Sequence, residues 1–380
     1  MILFLMACRI VPQTQVELLL DPDRDGWPID IDCDNADPQL GGSELLTDAI
    51  DNDCDGHAII DLRNWPLDDS TCWTEVVGTL SNPALVQDGG FTTLNDGAER
   101  SADRVRTAPD VEGDGITELL YADDGAVGFL PSEGSPVQFE VPGDPGRSLA
   151  WGGMVEGCPT VLVAGPHPIQ PAWIEVNRVE LCTGTVRSSW TWSAAERSLE
   201  DVHFLPLTLD FWPDAVLTDP EDDAPSLSIQ YRTAPDSPAE HDFFDAQIRG
   251  DGALFGLFVA AADGSGDNLP DLLVSAAEGA WLIDGTQLPR GGEGFESVRV
   301  QDVGVFLAAG PPAAVAFSDL DGDGLREALV AVQTDTGLRV EAYNATGENT
   351  ATLYAPPGSC DAVSMSPTAL VSGGAAFWLP

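Results

Sequence analysis

Residues 319–331 read DLDGDGLREALVA, an acidic, glycine-broken loop that runs directly into an apolar strand. Alternate residues of a tight turn point the same way. Asp319, Asp321 and Asp323 can therefore face one centre, joined by the Leu325 carbonyl and the Glu327 carboxylate. Gly322 and Gly324 let the backbone fold sharply with positive φ at little cost. The donor set is all oxygen, which suits calcium, a hard ion that takes about six to eight oxygen ligands.

The same grammar recurs in register. DVEGDGITELLYA offers Asp110, Glu112, Asp114, the Ile116 carbonyl and Glu118. DGSGDNLPDLLVS offers Asp263, Ser265, Asp267, the Leu269 carbonyl and Asp271. Its sixth place is Asn268, the residue other than glycine that best tolerates a left-handed conformation. Carboxylates clustered without a cation are unfavourable near neutral pH. The loops therefore predict about three calcium ions in this part of the chain, one for each loop.

Each loop leads into a short apolar run, a turn (Asp124-Gly125, Glu278-Gly279, Thr336-Gly337) and a second strand at Ala126–Leu130, Ala280–Ile283 or Leu338–Tyr343. Degenerate copies start at Gly152, Pro206 and Cys360, where the ligand positions are mostly lost. The six starts are spaced by 42, 54, 57, 56 and 41 residues. A repeat of roughly fifty residues with four strands is a propeller blade. The expected fold is all-β: a β-propeller of six four-stranded blades. The final copy and residues 73–107 would share one closing blade, or there are seven blades if 73–107 forms its own.

The span 72–380 resembles the FG-GAP/VCBS repeat family, the calcium-loop propellers that include the integrin α-subunit head. The resemblance rests on the three full loops. It implies calcium in blade hairpins on one face and a ligand surface on the other.

Residues 21–61 form a denser acidic module, with residues 62–71 as a linker. Asp21, Asp23 and Asp25 precede Gly26 and the Trp27 carbonyl, with Asp30 or Asp32 completing the set. Asp34, Asp37, Asp51, Asp53 and Asp55 make a second cluster around Cys33 and Cys54. The stretch DAIDNDCDG is similar to a bacterial metal-binding motif ending in DNDCDG, with Ala49 where that motif has glycine, and to thrombospondin type 3 repeats. A segment so polar cannot fold on burial alone. One or more calcium ions and a Cys33–Cys54 bond would have to hold it.

The chain carries 63 acidic against 16 basic residues, all of the latter arginine, for a formal net charge of −47. Such a surface repels nucleic acid, whose phosphates need basic partners. Residues 1–20 read as a truncated signal and tether in which Leu5-Met6-Ala7-Cys8 resembles a bacterial lipobox. That implies a lipidated Cys8 and an exported lipoprotein of the outer membrane or cell surface, or a secreted protein. Six cysteines remain, which suits an oxidising compartment. Locality suggests the pairs Cys33–Cys54, Cys158–Cys182 and Cys72–Cys360. No apolar run approaches the roughly 18 residues of a membrane span.

No catalytic constellation is legible. His57, His167, His203 and His241 are scattered, and HExxH, GxSxG and phosphate-loop patterns are missing. The expected function is a calcium-stabilised, monomeric binding or adhesion scaffold for an extracellular protein or glycan, not an enzyme. The alternative is a secreted hydrolase or lyase with its active site on propeller loops.

Overall fold

The structure is a computed structural model that describes residues 58–61 and most of 75–378. Residues 1–57 and 62–74 lie outside the described residues, as do loop segments such as 112–115, 232–244 and 356–362. The expected signal, Cys8, the acidic clusters at 21–55 and the Cys33–Cys54 and Cys72–Cys360 bonds therefore fall outside them.

Six antiparallel, four-stranded blades form a β-propeller. Blade I comprises Glu75–Val77, Ala84–Gln87, Gly90–Thr93 and Glu99–Arg100. Blade II comprises Arg104–Thr107, Leu119–Asp123, Ala126–Leu130 and Val137–Glu140. Blade III comprises Ser148–Val155, Cys158–Pro166, Trp173–Glu180 and Val186–Ser193. Blade IV comprises Asp201–Leu205, Asp214–Asp219, Ser226–Gln230 and Ala246–Arg249. Blade V comprises Val259–Ala262, Asp271–Ala276, Gly279–Ile283 and Gly304–Leu307. Blade VI comprises Pro312–Ser318, Glu327–Thr334, Gly337–Tyr343 and Asn349–Ala355.

Closure differs from the shared blade read in the sequence and follows the alternative, in which the segment before the first full loop forms its own blade. Residues 75–100 hold a full blade of their own. The chain's end makes a separate three-stranded sheet of Val363–Met365, Ala369–Ser372 and Ala375–Trp378. Its first strand packs on Pro312–Ser318 of blade VI and on Glu75–Val77 of blade I, which completes the ring. The physical reason is local pairing. Gln87 stands opposite Gly90 in a tight hairpin, so blade I builds its sheet from its own strands.

Two blades gain a fifth, parallel strand at the outer edge. Ala58–Asp61, placed by the sequence at the end of the acidic module, pairs with Asn349–Ala355 from Ala58↔Ala351 to Asp61↔Tyr354. Glu296–Arg299 pairs with Ala246–Arg249 of blade IV. Both cover backbone donors and acceptors that an edge would leave open. Among the described residues, no helix is long and apolar enough to cross a membrane.

The core lies between blades. Leu273, Leu282, Val315, Phe317 and Val330 fill the V–VI junction, and Leu120, Val127, Val161 and Val179 the II–III junction. At the I–II junction, Tyr121 stacks obliquely on Phe91 with ring centroids 5.7 Å apart. Its ring lies over Gly128, directly opposite on the neighbouring strand, where a Cβ would collide with it. Gly128→Val should displace Tyr121 and cost about 1–3 kcal/mol of unfolding free energy by urea titration. A change below about 0.5 kcal/mol, the size of an ordinary surface substitution, would contradict that packing.

Candidate metal centre

The first inter-strand connection of blades II to VI carries the sequence repeat. A single contact recurs in four of them: the acid at the ninth place accepts the backbone N–H of the second residue. Val111 N donates to Glu118 Oε2 at 2.9 Å, and Leu207 N to Asp214 Oδ2 at 3.0 Å. Gly264 N donates to Asp271 Oδ2 at 3.0 Å, and Leu320 N to Glu327 Oε2 at 2.8 Å. These four carboxylates are only 0–9 % exposed. A buried carboxylate needs such donors, because desolvation disfavours its charge. The ninth-place acid thus latches its own loop shut, a role the sequence reading did not give it.

In blade VI the loop also gathers its acids. Ligand atoms of Asp319, Asp321 and Glu327 lie within 4.8 Å of one another, the sole such group of three among the described residues. The loop supports this through its own amides. Asp319 Oδ2 accepts Gly324 N at 3.1 Å, Asp321 Oδ1 accepts Asp323 N at 3.0 Å, and Asp323 Oδ1 accepts Leu325 N at 2.7 Å. Gly324 has φ +89°, a conformation that glycine adopts freely. Burial pushes the Glu327 carboxyl above its ordinary range, and the nearby Asp321 and Asp323 charges add to the shift. Three hard oxygen donors, with the ionisation of Glu327 opposed by its burial, fit a divalent cation, which would relieve that opposition.

The blade V loop repeats these contacts, with Ser265 standing where blade VI has Asp321. Asp263 accepts Gly266 N at 2.7 Å and Asn268 N at 2.9 Å. Asp267 accepts Leu269 N at 2.7 Å. Asn268 has φ +69°, the left-handed state its residue type suggests. Asp271 takes three amides: Gly264 and Ser265 on one oxygen, Gly285 on the other at 2.7 Å. Burial leads the upward shift of its carboxyl. The structure does not bring Asp263, Asp267 and Asp271 together as it does the acids of blade VI. In the blade II loop, Asp110, Glu112 and Asp114 lie outside the described residues, while Ile116 is partly buried and Glu118 fully so.

In blade III the loop has become a two-residue hairpin, with Glu156 at φ +51° and Gly157 at φ +82°. Cys158 follows it and bonds Cys182, with Cα atoms 5.8 Å apart. This ties the first hairpin of the blade to its 181–185 turn by a covalent bond. Blade IV keeps Asp214 as its latch, and Thr208 Oγ1 adds a second donor at 3.1 Å. The surviving acid at the ninth place of an otherwise degenerate copy was the sequence signal for this role.

No protein-family model matches the chain. No curated protein matches it either. Among solved structures, the N-terminal domain of BBS1 in complex with ARL6DN is similar at 11% identity and TM-score 0.53, covering 84% of this chain and 96% of that one. The Dos1 propeller follows at 11% identity and TM-score 0.46, covering 80% and 77%. At these identities the likeness concerns the propeller fold alone.

Two outcomes test the site. Asp214→Ala should cost about 1–3 kcal/mol in chemical denaturation, since it strands a buried amide and a hydroxyl, and Asp214→Asn should cost less. The second concerns charge. A carboxylate with a raised folded-state pKa binds its proton better folded than unfolded, so stability falls as pH rises through the carboxylate range. At neutral pH, ionised Glu327 therefore costs stability in the metal-free chain. Glu327→Gln keeps an oxygen for Leu320 N–H and removes that charge. In EDTA at pH 7 it should melt at or above the parent, and the gap should close below about pH 4. Calorimetric melting several degrees below the parent would contradict this.

Proposed function

We propose that the chain is a calcium-stabilised binding scaffold whose propeller presents a face to an extracellular protein or glycan. The observation that carries the reading is the convergence of Asp319, Asp321 and Glu327 in a loop whose backbone geometry is already set. Calcium at that point would join the first two strands of blade VI at their common end. The loop sequences at Asp110 and Asp263 extend the proposal to further ions, as the FG-GAP/VCBS resemblance implies. The acidic clusters between Asp21 and Asp55 would hold further ions upstream of the ring. Lipidation at Cys8 and export to the cell surface belong to the same reading.

Binding, and not catalysis, is favoured because the carboxylates of the described loops accept backbone amides of their own loops, a stapling arrangement. The BBS1 domain of similar fold was solved in complex with another protein, ARL6DN. That supports a protein as one kind of partner for a propeller face. The net charge of −47 further favours a partner with a basic or neutral surface.

Calcium should raise the melting temperature of the purified chain, and EDTA should reverse the rise. Asp319→Asn with Asp321→Asn should remove most of the response. An identical melting curve in calcium and EDTA would overturn the metal reading. A glycan and surface-protein array, probed with the chain in calcium and in EDTA, tests the scaffold reading. Calcium-dependent capture supports it, whereas turnover of a captured glycan or peptide would replace it with an enzymatic one.

A further inference from the structure

The blade IV loop keeps acids only at its fifth and ninth places, Asp210 and Asp214, and beside its latch the structure places a cation carried by the chain. Arg290 lies in the connection that leaves blade V after Gly279–Ile283 and adds Glu296–Arg299 to the edge of blade IV. Its Nη1 donates to the Leu207 carbonyl at 2.9 Å. Its Nη2 donates to the Gly285 carbonyl at 2.7 Å. The guanidinium carbon sits 5.7 Å from the centre of the Tyr231 ring. Tyr231 returns the contact by donating its hydroxyl to the Pro289 carbonyl at 2.7 Å, and Arg290 N donates to Glu296 Oε2 at 3.1 Å.

The two carbonyls belong to two different latches. The Leu207 peptide offers its carbonyl to Arg290, and the Leu207 N–H is held by Asp214 of blade IV. The Gly285 N–H donates to Asp271 of blade V. A continuous polar path therefore runs from Asp214 through Leu207, Arg290 and Gly285 to Asp271. A guanidinium can make it because its planar fork reaches two acceptors while its face stacks on an aromatic ring. A lysine ammonium is a point charge and cannot do both.

We propose that Arg290 is a chain-borne cation that staples blade IV to blade V and, through the Gly285 peptide, positions Asp271. The Cys158–Cys182 bond, by contrast, stays within blade III. The guanidinium tie joins neighbouring blades, and this holds whether or not the acidic loops take up calcium.

Hydrogen exchange read by mass spectrometry on the full chain tests this in calcium and in EDTA. Arg290→Ala should accelerate exchange several-fold in the peptides that contain the Leu207 and Gly285 amides. It should leave the 319–327 loop as it was, and it should lower the melting temperature equally in both conditions. Arg290→Lys should fail to restore protection. If Arg290→Ala does not fold, Tyr231→Phe removes only the hydroxyl contact to Pro289 and should loosen the same peptides more mildly. Unchanged protection in these peptides for whichever variant folds would overturn the proposal. So would full rescue by lysine, or an effect confined to calcium-loaded protein.

Discussion

The fold turns on a buried carboxylate that accepts a backbone amide seven residues upstream. A loop between two apolar strands must be polar, yet its end has to enter the core. The ninth-place acid resolves this conflict. Its charge is desolvated, which is unfavourable, but the amides of the loop are aimed at it and would otherwise be unpaired. The result is the same closing contact in blades II, IV, V and VI. Once the loop is closed, the alternate positions of the turn become available for other work.

That work differs from blade to blade. In blade VI the alternate acids converge and make a cation-shaped group of oxygens. In blade V a serine replaces the third-place acid, and the ninth-place acid also takes the Gly285 amide of the next connection. In blade III a disulfide does the tying, and in blade IV an arginine reaches in from blade V. One repeat thus supports four polar arrangements at the blade ends, three within a blade and one between neighbours. A chain with so large an excess of negative charge gains further from cationic ties, because like charges on the rim repel.

Much of this was legible from residue spacing. The apolar runs after the three full loops and the second strands fall where the repeat places them. Both signals are local: turn chemistry and a period of two along the strand. The left-handed state at Asn268 followed from its residue type. What escaped was non-local. The parallel edge strands at 58–61 and 296–299 pair with segments remote in sequence, and no local pattern encodes that choice of partner. The separate closing sheet escaped because the last repeat shows only two clear apolar runs, whereas Val363–Met365 is a three-residue strand. Arg290 escaped because a lone arginine in a Gly- and Pro-rich connection has no spacing to mark it. The latch was in plain view as the ninth acid, but its ligand reading hid its structural one.

The most direct measurement is crystallographic: anomalous difference density from crystals of the full chain grown with calcium. A peak is expected in the blade VI loop, about 2.3–2.6 Å from carboxylate oxygens of Asp319, Asp321 and Glu327. A clear map with the loop in the same conformation and no peak there would contradict it.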